Sequence, residues 1–113
     1  MAKIRYLNRK SLVRTELLKD AFAGRFPTYA QLGSRVGIPK QGPWKPLLDV
    51  ISGEETDAGY PDLTFLVRNS KGYPGQIGFV ATGGKPTPQQ ISLAKREVQK
   101  VIDLYCPGTI NPY

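Results

Sequence analysis

The chain contains no histidine, a single cysteine and a single tryptophan in 113 residues. Without histidine it lacks the commonest zinc and haem ligand and the usual proton carrier near neutral pH. Cys106 has no partner for an internal disulfide and cannot build a thiolate metal cluster. No apolar run approaches the ~20 residues of a membrane helix. Met1 to Arg5 opens basic, but no apolar stretch of signal-peptide length follows. Neither end carries a lipidation motif. The expected location is the cytoplasm.

The usual catalytic constellations are missing as well. No serine or threonine has an imidazole base to activate it. Gly83-Gly84-Lys85 lacks the first glycine and the spacing of a phosphate loop. Glu54, Glu55, Asp57 and Asp62 offer carboxylates to Mg²⁺, but without nuclease spacing they read as a solvated loop. The expectation is a protein with no catalytic residues, no metal and no cofactor.

What the chain does have is positive charge at one end. Residues 1–45 hold ten basic groups against two acidic ones, a net +8. The remaining 68 hold six against seven, a net −1. Such asymmetry makes a polyanion the natural partner, the alternative being a basic face kept for solubility.

The length suits one domain. The expected organisation is a basic arm over 1–10, a single domain over 11–106 and a frayed tail over 107–113. Lys3 to Lys10 reads as that arm, or as a short strand around Ile4 to Leu7. Ser11 caps a first helix with Leu12, Leu17, Leu18, Ala21 and Phe22 as its apolar stripe, and Gly24 ends it. Thr28 and Gln31 form a capping-box pair for a second helix that runs to about Val36 and stops at Gly37. A Gly/Pro turn follows. A third helix begins near Trp44, tolerates Pro46 in its first turn, buries Leu47, Leu48, Val50 and Ile51, and ends at Gly53. Two short helices about a tight turn read as a helix-turn-helix, or as any αα-hairpin in a helical core. Leu63 to Asn69 reads as a strand and Gln76 to Ala81 as its partner, joined by a Gly/Pro turn. Thr87, Pro88 and Gln90 open a last helix ending before Pro107. The fold class this implies is α+β: a winged helix-turn-helix with a two-stranded antiparallel wing.

The stretches TYAQLGSRVGIP, GPWKPLLDVI and LTFLVRNSKGYPGQIGF together resemble the DNA-binding half of methylguanine methyltransferases and the alkyltransferase-like proteins. The resemblance covers roughly half of the chain. It implies a winged helix whose second helix faces DNA. It does not extend to alkyl transfer, because the family's Pro-Cys-His-Arg motif is absent.

The residues point to the same region independently. A helix start presents free N–H groups and a positive dipole end to phosphate. Lys40 and Lys45 flank the start of the third helix. Lys71 stands at the wing tip, with Arg68 on the strand beside it, and Arg35 is a further contact. Lys3, Arg5, Arg9 and Lys10 form the arm. Trp44 either stacks on a base or anchors the second and third helices, the anchor being the preferred reading. Tyr73, between Gly72 and Pro74, is expected to be exposed. The leading expectation is a non-catalytic binder of nucleic acid, foremost duplex DNA, acting as a regulator or accessory factor. The alternative is a small basic module that blocks an acidic surface of a larger enzyme, as mobile-element inhibitors do. RNA binding through the arm is a third reading.

Overall fold

The structure is a computed structural model that describes residues 4–76 and 85–113. Its elements are α1 (Lys10–Ala23), α2 (Tyr29–Val36), α3 (Lys45–Asp57) and α4 (Pro88–Tyr105), with 3-10 turns at Leu7–Arg9 and Leu63–Leu66. No β-strand occurs among the described residues. The α+β winged-helix expectation is therefore corrected: the described fold is helical and carries no two-stranded wing.

The correction has a local cause at Asp62. Its carboxylate accepts from the Thr64 backbone N–H at 3.0 Å and from the Thr64 hydroxyl, and the Ser52 hydroxyl donates to its other oxygen. Such side-chain caps offer the backbone an alternative to a sheet ladder. Leu63–Leu66 therefore winds into a turn instead of extending. Leu63, Leu66 and Val67 are fully buried, and the turn packs against α1, α3 and α4. The run is apolar because it lies at the centre of the core, not because a sheet covers both its faces.

Beyond it the chain extends for a moment. Arg68 forms one parallel bridge to Thr28 and one antiparallel bridge to Pro74. Pro74 lacks an N–H to continue a ladder, and flanking glycines weaken it further. Gln76 lies in a turn, and the rest of the expected second strand, 77–81, lies outside the described residues.

Helix α1 differs from its expected stripe. Val13, Leu17 and Ala21 are buried one turn apart, whereas Leu12 and Phe22 are 44% and 63% exposed. The buried stripe also carries Glu16 and Asp20. Arg9, not Ser11, stands at its N-cap, and Tyr6 adopts the left-handed region at φ 62°, so residues 4–7 form no strand. Gly24 ends the helix at φ 68°, a conformation glycine adopts without strain.

The caps of α2 and α4 are as the spacing predicts. Gln31 N–H donates to Thr28 Oγ1 at 3.2 Å while Thr28 N–H donates to Gln31 Oε1 at 3.0 Å. Thr87 and Gln90 repeat the pattern. Helix α3 passes through Gly53 and reaches Asp57, so the expected polar loop begins later. The tail is not frayed: Asn111 Nδ2 donates to the Lys95 carbonyl at 2.9 Å, and the Tyr113 hydroxyl is buried.

Candidate nucleic-acid interface

The start of α2 is held by backbone bonds to Arg68. Arg68 N–H donates to the Pro27 carbonyl at 2.9 Å, and Tyr29 N–H donates to the Arg68 carbonyl at 3.2 Å. The next five residues close a tight turn on Asn69. Its side-chain oxygen accepts from Lys71 N–H at 2.9 Å and Tyr73 N–H at 3.0 Å. Asn69 N–H donates to the Tyr73 carbonyl, and Gly72 takes φ 81°. An Asx turn of this kind fixes the backbone without a sheet. It presents Lys71 to solvent at the place expected for the wing tip.

A groove of about 430 Å³ opens here, lined by Thr28, Tyr29, Ala30, Lys40, Asn69 and Ser70. Lys40 enters it from the loop after α2. That loop is pinned by Trp44, whose indole N–H donates to both the Pro39 and Lys40 carbonyls at 3.1 Å. Lys40 and Lys71 are exposed and belong to none of the ion pairs among the described residues. Tyr29 forms the floor, and its burial pushes the phenol up to about 12.

The other sequence candidates are dispersed. Trp44 is 5% exposed, and its ring lies 5.5 Å from that of Tyr29. It is the anchor of the two alternatives, and its face is not offered to a base. Tyr73 is half-buried, short of the exposure expected for it. Lys45 pairs with Asp49 at 3.2 Å on the surface. Arg9 donates to the Val36 carbonyl at 2.7 Å and so caps the end of α2. Lys10 pairs with Glu54 at 2.8 Å, joining α1 to α3. Arg5 is exposed and stands 5.5 Å from the Tyr6 ring centre. Lys3 lies outside the described residues.

Arg35 is committed to other work. Its terminal nitrogens donate to both oxygens of Asp20, at 2.6 and 3.2 Å, and this bond raises its pKa further. Arg25 donates from Nε to the same carboxylate at 3.1 Å. The Arg25 side chain is nonetheless 61% exposed, so it pairs with Asp20 from the solvent side. Three of the four acidic residues read as a solvated loop are likewise engaged: Glu55 accepts from Arg14 at 2.6 Å, Glu54 from Lys10, and Asp62 caps the central turn, while Asp57 is exposed.

Protein-family models, curated proteins and solved structures provide no match to this chain.

Proposed function

We propose that this protein binds nucleic acid through the phosphate backbone, on the surface where α2 begins beside the Asn69 turn. The observation that carries the reading is the pair Lys40 and Lys71. Both are unpaired cations among the described residues and both stand on structurally pinned loops; Lys40 lines the groove, and Lys71 directly follows its lining residues Asn69 and Ser70. Most other described cations of the basic N-terminal part are spent on carboxylates or carbonyls. The excess charge of residues 1–45 adds a long-range attraction for a polyanion.

Contacts of this type give affinity without reading bases. With no wing among the described residues and with Trp44 buried, little sequence discrimination is expected. Side-by-side titration of duplex DNA, single-stranded DNA and duplex RNA at rising salt tests the reading. The expected result is micromolar or tighter binding at low salt, with log K falling linearly as log salt rises. Absence of binding at low salt, or binding indifferent to salt, overturns it. Recovery of a protein partner from nuclease-treated lysate, together with no affinity for any of the three nucleic acids, would favour the acidic-surface alternative.

A further inference from the structure

A second cleft of about 420 Å³ shares no lining residue with the groove. Its walls are Asp20, Arg25, Phe26, Pro27, Gln31, Arg35 and Arg68. Three guanidinium groups therefore gather around the Asp20 carboxylate, and Glu16, 3.6 Å from Arg35 and paired with Lys19, adds a second acid at the edge. Asp20 is saturated: it takes Arg35 through both oxygens and Arg25 through one. Arg25 spends only Nε on it, so its two terminal nitrogens have no side-chain partner among the described residues, and its side chain is 61% exposed.

Arg68 is the less ordinary member. Its Nη2 donates to the Phe26 carbonyl at 3.3 Å, while its Nε is buried without any hydrogen-bond partner. A buried charged donor left unmade is costly and is uncommon in folded proteins. The residue is held there by its backbone bridges to Thr28 and Pro74, which fix it between the α2 start and the Asn69 turn.

We infer that this cleft is a binding site for a dianionic phosphate group. Arg25 is the chief donor through its two terminal nitrogens, Arg68 adds its charge to the wall, and Arg35 holds the Asp20 carboxylate that orients Arg25. The arginines outnumber the carboxylate that lines the cleft, and arginine's planar fork suits phosphate oxygens in pairs. The volume exceeds that of the bare ion and falls within the range of small-ligand sites, leaving room for an attached organic group beside Phe26 and Pro27. This site does not depend on the nucleic-acid reading, since none of its residues lines the groove.

The test is isothermal titration of the full chain with inorganic phosphate and, separately, with adenosine 5′-monophosphate, at matched ionic strength. Saturable one-to-one binding of at least one probe is expected. Tighter binding of the monophosphate assigns the site to a phosphate monoester, and equal binding assigns it to the free ion. Arg25→Gln and Arg68→Gln should each weaken binding about tenfold or more. Lys100→Gln on α4, which lines no part of the cleft, should leave it unchanged. Circular dichroism checks that each variant folds. If Arg68→Gln fails to fold, the exposed Arg25→Gln carries the result. The inference is overturned if neither probe binds saturably, or if folded Arg25→Gln binds as the parent chain does.

Discussion

Arg35 and Asp20 lock the end of α2 to α1 through a two-pronged ion pair, with N–O distances of 2.6 and 3.2 Å. The aspartate side chain is 2% exposed and the arginine 30%. A carboxylate this covered depends on its partners, because removing a buried charge from water is repaid only by good pairing. Asp20→Asn keeps the shape and removes the charge. It also leaves Arg25 and Arg35 facing each other across a neutral group. The expected loss is about 2 kcal/mol, less than for a wholly buried pair because Arg35 keeps some solvent. Urea unfolding should show a lower midpoint at an unchanged slope. A midpoint equal to that of the parent chain would mean that the pair contributes nothing net.

The charge reversals Lys40→Glu and Lys71→Glu separate free cations from committed ones. Each should weaken duplex binding about tenfold at low salt and lower the salt slope by about one. Lys10→Glu breaks its pair with Glu54 and should chiefly reduce stability. Lys45, held by Asp49 in an exposed pair worth little, should show an intermediate loss of binding. Equal effects from all four reversals would point to net charge alone rather than to the groove. Competition binding at two salt concentrations gives the comparison.

Trp44 is a built-in reporter because the chain has no other tryptophan. Buried against Tyr29 and Gly33, it should emit at short wavelength and resist quenching by iodide. Nucleic acid should change this emission little, since the ring is covered. Strong quenching on binding would place the ring at the interface and contradict its role as anchor. Trp44→Phe fills most of the volume but loses the indole N–H, and the Pro39 and Lys40 carbonyls then turn to water. A cost of about 1 kcal/mol is expected, against about 3–5 kcal/mol for Trp44→Ala.

The parts of this fold legible in the sequence are those written in local chemistry. Thr28 with Gln31, and Thr87 with Gln90, set two helix starts because cap and third residue satisfy one another within four positions. Gly24 and Gly37 set two helix ends for an equally local reason. The failures are non-local. Glu16 and Asp20 look like solvent-facing acids until Arg35, fifteen residues beyond Asp20, is seen to neutralise them. Counting them as polar turned the expected apolar stripe of α1 toward Leu12 and Phe22. Leu63 to Val67 has the composition of a strand, and the Asp62 cap decides otherwise with bonds no periodicity displays. In the candidate site, Lys40 and Lys71 were legible as charges. That Lys10, Arg9 and Arg35 were already spent was not, because each is spent on a residue distant in sequence.

Alkaline unfolding should be governed in part by Tyr29. Its phenol is pushed up to about 12 by burial, against an ordinary value of about 10. The unfolded chain therefore releases this proton first. Below pH ~10 both states keep it, and the contribution to stability is fully present. Between pH ~10 and ~12 only the unfolded state ionises, and stability falls by up to about 1.4 kcal/mol per pH unit for this group. Above the folded value both states are ionised and this loss is complete. Burial raises the Tyr113 phenol in the same direction, so the two add. Tyr29→Phe removes one ionisable hydroxyl and keeps the ring beside Trp44. Its unfolding midpoint in urea, followed from pH 8 to 12, should decline less steeply than that of the parent chain. A variant whose decline runs parallel to the parent's would show that Tyr29 ionises as freely in the folded protein as in the unfolded chain.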